Sequence, residues 1–330
     1  MITSNSFAFK YGILEIRAKL PEGDWLWPAM WLLPKDSVYG GWPRSGEIDM
    51  IESRGNRQLT VDNGNIGVQQ VASTLHWGPS PSSDAFMHAT ASKNNNAGYA
   101  SDFHVYRVEW TKGHAMTMEE DRMPEKALQS TDKGKTLIGR PRTRWMPQVQ
   151  KYMEAKGTDW RCVAEGEVGR DRKKWILAIH SLLILIRVVP WATLCATSVV
   201  NNLHTGDGTG YHVSLDHMRF TVDGDEIGSV YPSDSGFYGL GQLDGQENPW
   251  GGANNYKMAP FDQQFYIILN MAVGGNDFFP DNSNNPSGKP WSNTSPTASS
   301  DFWNARAQWL STWQGDDAHL QVDYVKVFAV

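Results

Sequence analysis

The chain of 330 residues has little of what marks disulfide-stabilised, basic or membrane proteins. It contains only two cysteines, Cys162 and Cys195, so no framework of disulfides holds the fold. Positive charge is also scarce, and the net charge of −6 with a pI near 5.8 disfavours a nucleic-acid partner or an anionic membrane surface. The same charge balance leans against a sulfated polysaccharide as substrate.

Two further absences concern targeting and membranes. Residues 1–6 read Met-Ile-Thr-Ser-Asn-Ser, which is too polar for a secretory signal peptide. The apolar stretch 175–200 is interrupted by His180, Arg187 and Pro190. Because a membrane-spanning helix requires about twenty apolar residues with few charges, we expect no such helix here.

Tryptophan, in contrast, is abundant, with fifteen residues. Aromatic rings are common platforms for the apolar faces of sugars, but most tryptophans in proteins pack in the core. The count is therefore compatible with a carbohydrate ligand without establishing one.

Three carboxylates lie close together in residues 46–52, which read Gly-Glu-Ile-Asp-Met-Ile-Glu. Because side chains alternate along a strand, Glu47 and Asp49 share one face and Glu52 falls on the other. One extra residue, a β-bulge at Met50 or Ile51, would return Glu52 to the face of the other two acids. The spacing therefore predicts a bulged strand with three convergent carboxylates.

Such carboxylates suit retaining glycoside hydrolysis, in which one carboxyl group attacks the anomeric carbon and another protonates the leaving oxygen about 5–5.5 Å away. The long side chains of Glu47 and Glu52 can lean together to this separation. Asp49 between them would raise the proton affinity of one glutamate and help to keep it as the acid. On the spacing alone, a calcium site and a solvated strand face remain alternatives.

The segments around these acids resemble glycoside hydrolase family 16, the laminarinase-type hydrolases, in its bulged Glu-x-Asp-x-x-Glu form. Residues 25–34 read Trp-Leu-Trp-Pro-Ala-Met-Trp-Leu-Leu-Pro, and residues 52–56 read Glu-Ser-Arg-Gly-Asn. Within the family, the chain is similar to animal endo-β-1,3-glucanases and β-1,3-glucan-binding proteins. The resemblance implies an all-β jelly-roll sandwich with a substrate cleft on its concave face.

By this resemblance Glu47 is the nucleophile, Glu52 the acid/base and Asp49 their electrostatic helper. It also implies a set of substrate-binding residues: Arg17, Trp27, Trp31, Trp42, His76 and Asn270. Of the three tryptophans, Trp31 is the one that best fits the core instead.

Two residues of that set have expected positions. The resemblance places Arg17 beside the nucleophile, although a surface arginine is the alternative on pattern alone. It places His76 near Glu52. The chemistry requires no cofactor, but Asp323, in the alternating final strand, resembles an aspartate that helps to bind a structural calcium in many relatives.

The resemblance covers residues 1–111 and 216–330 and stops between them. Residues 112–215 are basic and lack a rhythm of strands and turns, which favours translated non-coding sequence, such as a retained intron in a gene model. A genuine lineage-specific insertion is the alternative. Related domains carry further strands before the position of Thr3, so the chain is also expected to be truncated at its N-terminus.

Joining Thr111 to Asp216 across this interruption gives a predicted hairpin, and a second turn follows at residues 223–224. Strands 105–110 and 218–222 should then pair as antiparallel neighbours. Each strand alternates apolar and polar residues, and it can bury its apolar face only when it lies beside the other.

The resemblance thus implies a secreted, monomeric, endo-acting retaining hydrolase of β-1,3-glucan, and the charge balance predicts no nucleic-acid or membrane partner. One alternative is a glucan-recognition protein of innate immunity that binds without cutting. Proteins of that group typically lack the catalytic glutamates, which favours the enzyme. Another is an inactive product of a mis-predicted gene, and the choice between β-1,3 and mixed-linkage glucan stays open.

Overall fold

A computed structural model describes residues 1–112 and 216–329, together with the backbone of two short strands at 186–188 and 194–198. The strands, in chain order, are β1 Gly12–Lys19, β2 Leu26–Pro34, β3 Glu47–Ser53, β4 Thr60–Val61, β5 Gly64–Asn65, β6 Gln70–His76, β7 Thr90–Asn94, β8 His104–Thr111, β9 Ile186–Val188, β10 Leu194–Ser198, β11 His217–Val222, β12 Asp225–Val230, β13 Phe265–Val273 and β14 Leu320–Ala329. The helices are α1 Gly236–Leu240, α2 Ala298–Asn304 and α3 Arg306–Trp309, with 3₁₀ turns at Pro81–Ser83, Phe86–His88, Leu310–Thr312 and Gly315–Ala318.

Two sheets form the fold. The first, here called sheet A, has the strand order β13-β2-β3-β6-β7 and is antiparallel throughout. The second, sheet B, has the order β10-β14-β1-β8-β11-β12, with β9 also beside β14. In sheet B, β9 and β10 run parallel to β14, and the other neighbours are antiparallel.

The hydrophobic core lies between sheets A and B. Along β1, Leu14 and Ile16 are fully buried, whereas Glu15 and Arg17 alternate with them and stay partly exposed. Burying one such aliphatic side chain stabilises the fold by about 1.5–3 kcal/mol. Both sheets contribute to the same cluster, with Met30, Leu32, Ile48, Leu75, Tyr106, Val108, Phe220, Leu269 and Val325 among its members. The predicted all-β jelly-roll sandwich is confirmed.

Strand β1 begins at Gly12, although alternation extends further towards the N-terminus. Tyr11 has a φ of 60° and Gly12 a φ of 138°, which breaks the extended backbone. A Cβ at Gly12 would lie 2.6 Å from the carbonyl oxygen of Phe328, so only glycine allows this approach. The preceding residues instead pair with β13, through bridges such as Phe9 to Phe265.

The predicted pairing across the interruption is confirmed. Strand β8 pairs antiparallel with β11, from Thr111 opposite His217 to Tyr106 opposite Val222. The turn after β11 has Asp223 at a φ of 52° and Gly224 at 87°, as a two-residue type I′ hairpin requires. The two ends of the segment 112–215 therefore meet at one point of sheet B.

Most of the segment 112–215 lies outside the described residues, so its origin stays a hypothesis. Its two described strands, β9 and β10, extend the edge of sheet B beside β14 and do not enter the centre of either sheet. In the described parts of the chain, no helix has the length and apolar character that crossing a bilayer demands.

Deleting residues 113–215 should leave a folded sandwich. With Lys112→Asn and Asp216→Gly at the junction, the deletion gives a two-residue hairpin loop of a favoured type. Replacing a loop of about one hundred residues by two lowers the loop-closure cost by about 3 kcal/mol. We expect a soluble protein with β-sheet circular dichroism and an unfolding free energy no lower than that of the full chain. An insoluble or unfolded deletion variant would show that the segment is part of the domain.

Candidate active site

The acidic strand β3 contains the predicted bulge. Opposite β2, Ile51 and Asp49 pair with consecutive residues, so Met50 between them has no partner. The register on the β6 side shifts at the same place. Met50 and Ile51 both point into the core, and Glu47, Asp49 and Glu52 share the outer face of sheet A. The bulge at Met50 is confirmed.

Ser73 on β6 supports the bulge. Its hydroxyl donates a hydrogen bond of 2.7 Å to the carbonyl oxygen of Met50, and the Ser73 side chain is buried. A bulge leaves backbone groups without ladder partners, and a buried unpaired carbonyl costs about 1–3 kcal/mol. Sequence reasoning missed Ser73, although a small hydroxyl residue on the strand neighbouring a predicted bulge is a usable signal.

His76 lies against the acids from the neighbouring strand. It pairs with Glu47 across β3 and β6. Its Nε2 lies 3.2 Å from an oxygen of Asp49, and its Nδ1 lies 2.6 Å from Oδ2 of Asp84. His76 was expected near Glu52. The register sets it opposite Glu47 and its ring nitrogens face the two aspartates, and its charge also acts on the carboxyl group of Glu52.

Glu52 lies at the other end of the acidic cluster. The indole Nε1 of Trp27 donates a hydrogen bond of 2.9 Å to Oε1 of Glu52. The Trp27 ring stacks on Phe278 at 4.0 Å with an interplanar angle of 2°, and the guanidinium of Arg54 lies 4.1 Å from the centre of the Phe278 ring. Arg54 also donates to the carbonyl oxygen of Phe278. This stack of Trp27, Phe278 and Arg54 forms a wall beside Glu52.

Other predicted residues lie on the same face. Trp31 is opposite Asp49 in register, and its Nε1 donates to Oδ1 of Asn270 at 2.6 Å. Trp31 is partly exposed, so its placement favours the outer face over the core. Trp42 is 46% exposed, and its ring lies 5.8 Å from that of His76.

Burial and mutual repulsion raise the proton affinity of both glutamates. Burial, followed by the charge of Asp49, raises the pKa of Glu52 to about 7. The same two causes raise the pKa of Glu47 well above its usual range. Because both shifts have the same direction, the pKa values do not assign the nucleophile. The positive charge of His76 opposite Glu47 favours the ionised form that a nucleophile needs.

The pKa values of the two cations of the site, His76 and Arg54, shift in opposite directions. Burial alone would lower the pKa of His76, but its contacts with Asp49 and Asp84 and the charge of Glu47 outweigh burial and raise it to about 11. Burial lowers the pKa of Arg54 to about 10, although Glu52 opposes the shift. Both groups therefore carry positive charge at neutral pH, while Glu52 titrates there.

The structure does not bring Arg17 to this site, so its predicted place beside the nucleophile is wrong. Arg17 lies on β1 in sheet B, where its Nη1 is 2.7 Å from Oδ2 of Asp323 and its guanidinium lies over Phe103. Its neighbours Ile16 and Ala18 fill the core, so alternation turns Arg17 away from it.

Asp323 does not fit its predicted role as a calcium ligand. Its carboxylate already faces the guanidinium of Arg17, whose charge would repel a bound cation. Within the described residues, the one group with ligand atoms close enough to hold a metal comprises Glu47, Asp49 and His76, within 4.8 Å of one another. Nε2 of His76 faces an oxygen of Asp49 and Nδ1 faces an oxygen of Asp84, an arrangement that suits an imidazolium with a proton on each nitrogen.

A cavity of about 480 Å³ lies elsewhere, and Glu47, Asp49 and Glu52 are not among its lining residues. Tyr11, Tyr39 and Asp262 are among its lining residues. The hydroxyl of Tyr39 donates to both oxygens of Asp262, and Asn255 donates to the hydroxyl of Tyr11. The open face above the acids, and not this cavity, is therefore the candidate active site.

Known proteins that are similar to this chain include a glucan-binding protein and a glucan endo-1,3-β-glucosidase. A β-1,3-glucan-binding protein of Penaeus monodon is 36% identical over 336 residues, which cover 99% of this chain and 61% of that protein. A glucan endo-1,3-β-glucosidase of Cryptopygus antarcticus is 37% identical over 113 residues, covering 34% of this chain and 38% of that protein. The chain thus spans less than two thirds of the length of these relatives.

Among solved structures, the catalytic domain of an endo-1,3-β-glucanase (laminarinase) from Thermotoga petrophila aligns with a TM-score of 0.39 at 19% identity, covering 83% of this chain and 57% of that one. At the level of families, residues 1–160 match the family described as Glycosyl hydrolases family 16. That range includes the bulged strand, its three carboxylates and His76, and the chain accordingly carries a domain of glycosyl hydrolase family 16.

Proposed function

We propose that this protein cleaves internal β-1,3 linkages of a glucan with retention of configuration. The observation that carries the proposal is the bulged strand, which sets Glu47, Asp49 and Glu52 on one face beside a cationic histidine. A similar protein from Cryptopygus antarcticus is described as a glucan endo-1,3-β-glucosidase, which supports this substrate class.

In the first step, Glu47 attacks the anomeric carbon while Glu52 transfers its proton to the leaving glycosidic oxygen. This forms a covalent glycosyl ester on Glu47 and releases the chain on the far side of the bond. In the second step, Glu52 accepts a proton from water, and the water oxygen displaces Glu47. Asp49 and His76 balance the charge around Glu47 through both steps.

Sugar rings would pack on the aromatic side chains of the same face. Trp27, Trp31 and Trp42 present their indoles around the acids, and Asn270 adds an amide next to Trp31. Because such a polymer is too large to cross a membrane, the proposal includes a protein that acts outside the cell.

Glucan recognition without cleavage is the second candidate. The Penaeus monodon protein, which aligns with 99% of this chain, is described as a β-1,3-glucan-binding protein. Binding to laminarin without release of reducing ends would favour this candidate. The retention of Glu47 and Glu52 at a bulge favours the hydrolase.

Replacing the nucleophile should abolish hydrolysis and spare binding. Glu47→Gln keeps the side-chain shape but removes the attacking oxygen charge, so reducing-end release from laminarin should fall by at least about 10³-fold. Affinity electrophoresis in laminarin should show retained binding. The matched control is Glu15→Gln on the outer face of sheet B, which should cleave like the unmodified protein. Turnover of Glu47→Gln near that of the control would remove Glu47 from the mechanism.

The product stereochemistry should report the carboxylate geometry. Two carboxyl groups close enough for double displacement give a product with the anomeric configuration of the substrate. Proton NMR of early hydrolysis should therefore detect the β-anomer first, with the α-anomer appearing later by mutarotation. If the α-anomer appears first, the reaction inverts and the carboxyl groups are farther apart than proposed.

Activity should fall as pH rises through the pKa of Glu52. The general acid must be protonated in the free protein, so kcat/KM for laminarin should decline above a pH of about 7. An aryl glucoside with a good leaving group needs no protonation, and its glycosylation step should lack this alkaline decline. A decline of equal size for both substrates would assign the titration to another group.

A further inference from the structure

Asp84 is a buried carboxylate that the mechanism above does not use. It lies between the 3₁₀ turns Pro81–Ser83 and Phe86–His88, and its side chain is 8% exposed. One oxygen, Oδ2, lies 2.6 Å from Nδ1 of His76. The other, Oδ1, accepts a hydrogen bond of 3.3 Å from the backbone N–H of Phe86.

The backbone around Asp84 is tied to the end of β6. Ala85 donates to the carbonyl oxygen of Trp77 at 2.7 Å, and Leu75 donates to that of Ala89 at 3.1 Å. A Cβ at Gly78 would lie 2.1 Å from the carbonyl oxygen of Ser83, so the close approach requires glycine. Asp84 is therefore held in place before any substrate arrives.

His76 has acidic groups on two sides and aromatic rings on two others. From β3, Asp49 lies 3.2 Å from Nε2, and Glu47 is its partner in register. Asp84 faces Nδ1, while the ring of Phe86 stacks at 5.3 Å and that of Trp42 lies at 5.8 Å. A neutral imidazole has one N–H, so it can present a proton to only one of the two aspartates, whereas the imidazolium presents an N–H to each.

We propose that Asp84 is a positioning residue that holds His76 as an imidazolium against Asp49 and Glu47. The role in catalysis rests on the proposed hydrolase function, whereas the effect on the charge of His76 does not. The imidazolium offsets the repulsion between the neighbouring carboxylates, which favours the ionised form of Glu47 that can attack. Asp84 affects the charge of Glu47 only through its contact with His76.

The decisive variant is Asp84→Asn, because it keeps an oxygen for the Phe86 N–H and removes the charge from Nδ1. Histidine NMR of the full chain, with the His76 signals assigned from His76→Gln, should show an imidazolium at pH 8. In Asp84→Asn the His76 titration should move down by about 1–3 pH units. This measurement requires no catalytic activity.

In laminarin hydrolysis, Asp84→Asn should lower kcat about tenfold or more with little change in KM. The acidic limb of the kcat/KM profile should move to higher pH, because Glu47 loses a favourable cation. In a His76→Gln background, Asp84→Asn should add no further loss, since its effect passes through His76. Asp84→Glu, which retains the charge, should recover part of the activity.

The chain contains a matched control. His104 Nδ1 and Oδ2 of Asp223 also lie 2.6 Å apart, at the turn between β11 and β12 in sheet B. Asparagine tolerates the positive φ of Asp223, so Asp223→Asn tests the loss of an aspartate–histidine pair away from the acids. It should leave the His76 signals and the pH profile unchanged.

Two results would overturn the proposal: a neutral His76 at pH 8 in the unmodified protein, or a His76 titration that Asp84→Asn leaves in place. The first needs no variant and so remains decisive if Asp84→Asn fails to fold. Absence of hydrolysis by the unmodified protein would overturn the proposed function, and the NMR titration would still decide the role of Asp84 in charging His76.

Discussion

One extra residue in a strand determines the chemistry of this protein. If the strand were regular at Met50, Glu52 would point into the core, where an unpaired carboxylate is prohibitively costly. With it, two apolar side chains in succession fill the core and three acids share the opposite face. The hydroxyl of Ser73 satisfies the carbonyl that the bulge leaves unpaired, so the distortion is part of the folded state.

The sandwich supplies the stability that lets this strand carry repelling charges. Strand β3 lies in the middle of sheet A, with β2 and β6 on its two sides, and its apolar side chains join the core shared with sheet B. The acids are therefore held by backbone pairing and burial of their neighbours. Burial and, after it, the mutual repulsion of the acids raise the pKa values of Glu47 and Glu52. Perturbed titration of this kind is typical of catalytic clusters.

Local pattern predicted the part of the site that lies on strands. The spacing of the acids predicted the bulge, whereas Trp27 and Trp31 came from the family resemblance, and the structure places both on the face of Glu47. The position expected for Arg17 came from the resemblance, and the sequence pattern could not correct it, because alternation reveals which face a residue occupies but not which of two sheets contains it. Asp84 was missed because it lies in a turn region, where no period links it to His76. Strand β7 gave no signal because it is an edge strand with exposed polar residues.

Contacts between residues that lie far apart in the chain also could not be predicted from the sequence. Phe278 and Arg54 are more than two hundred positions apart, and nothing in their spacing indicates that they stack beside Trp27. The same holds for Asn270 as the partner of Trp31, since the neighbourhood of β13 and β2 is a property of the topology. Pairing across residues 112–215 was predictable because both strands alternate and match in length.

The hydrogen bond from the indole of Trp27 affects which oxygen of Glu52 can carry a proton. An indole N–H donates a hydrogen bond but does not accept one, and the indole does not ionise at neutral pH. The contact with Trp27 therefore fixes one oxygen of Glu52 in place without offering it a competing acid or base. The second oxygen of Glu52 is therefore the one left to carry the proton that this group gains and loses.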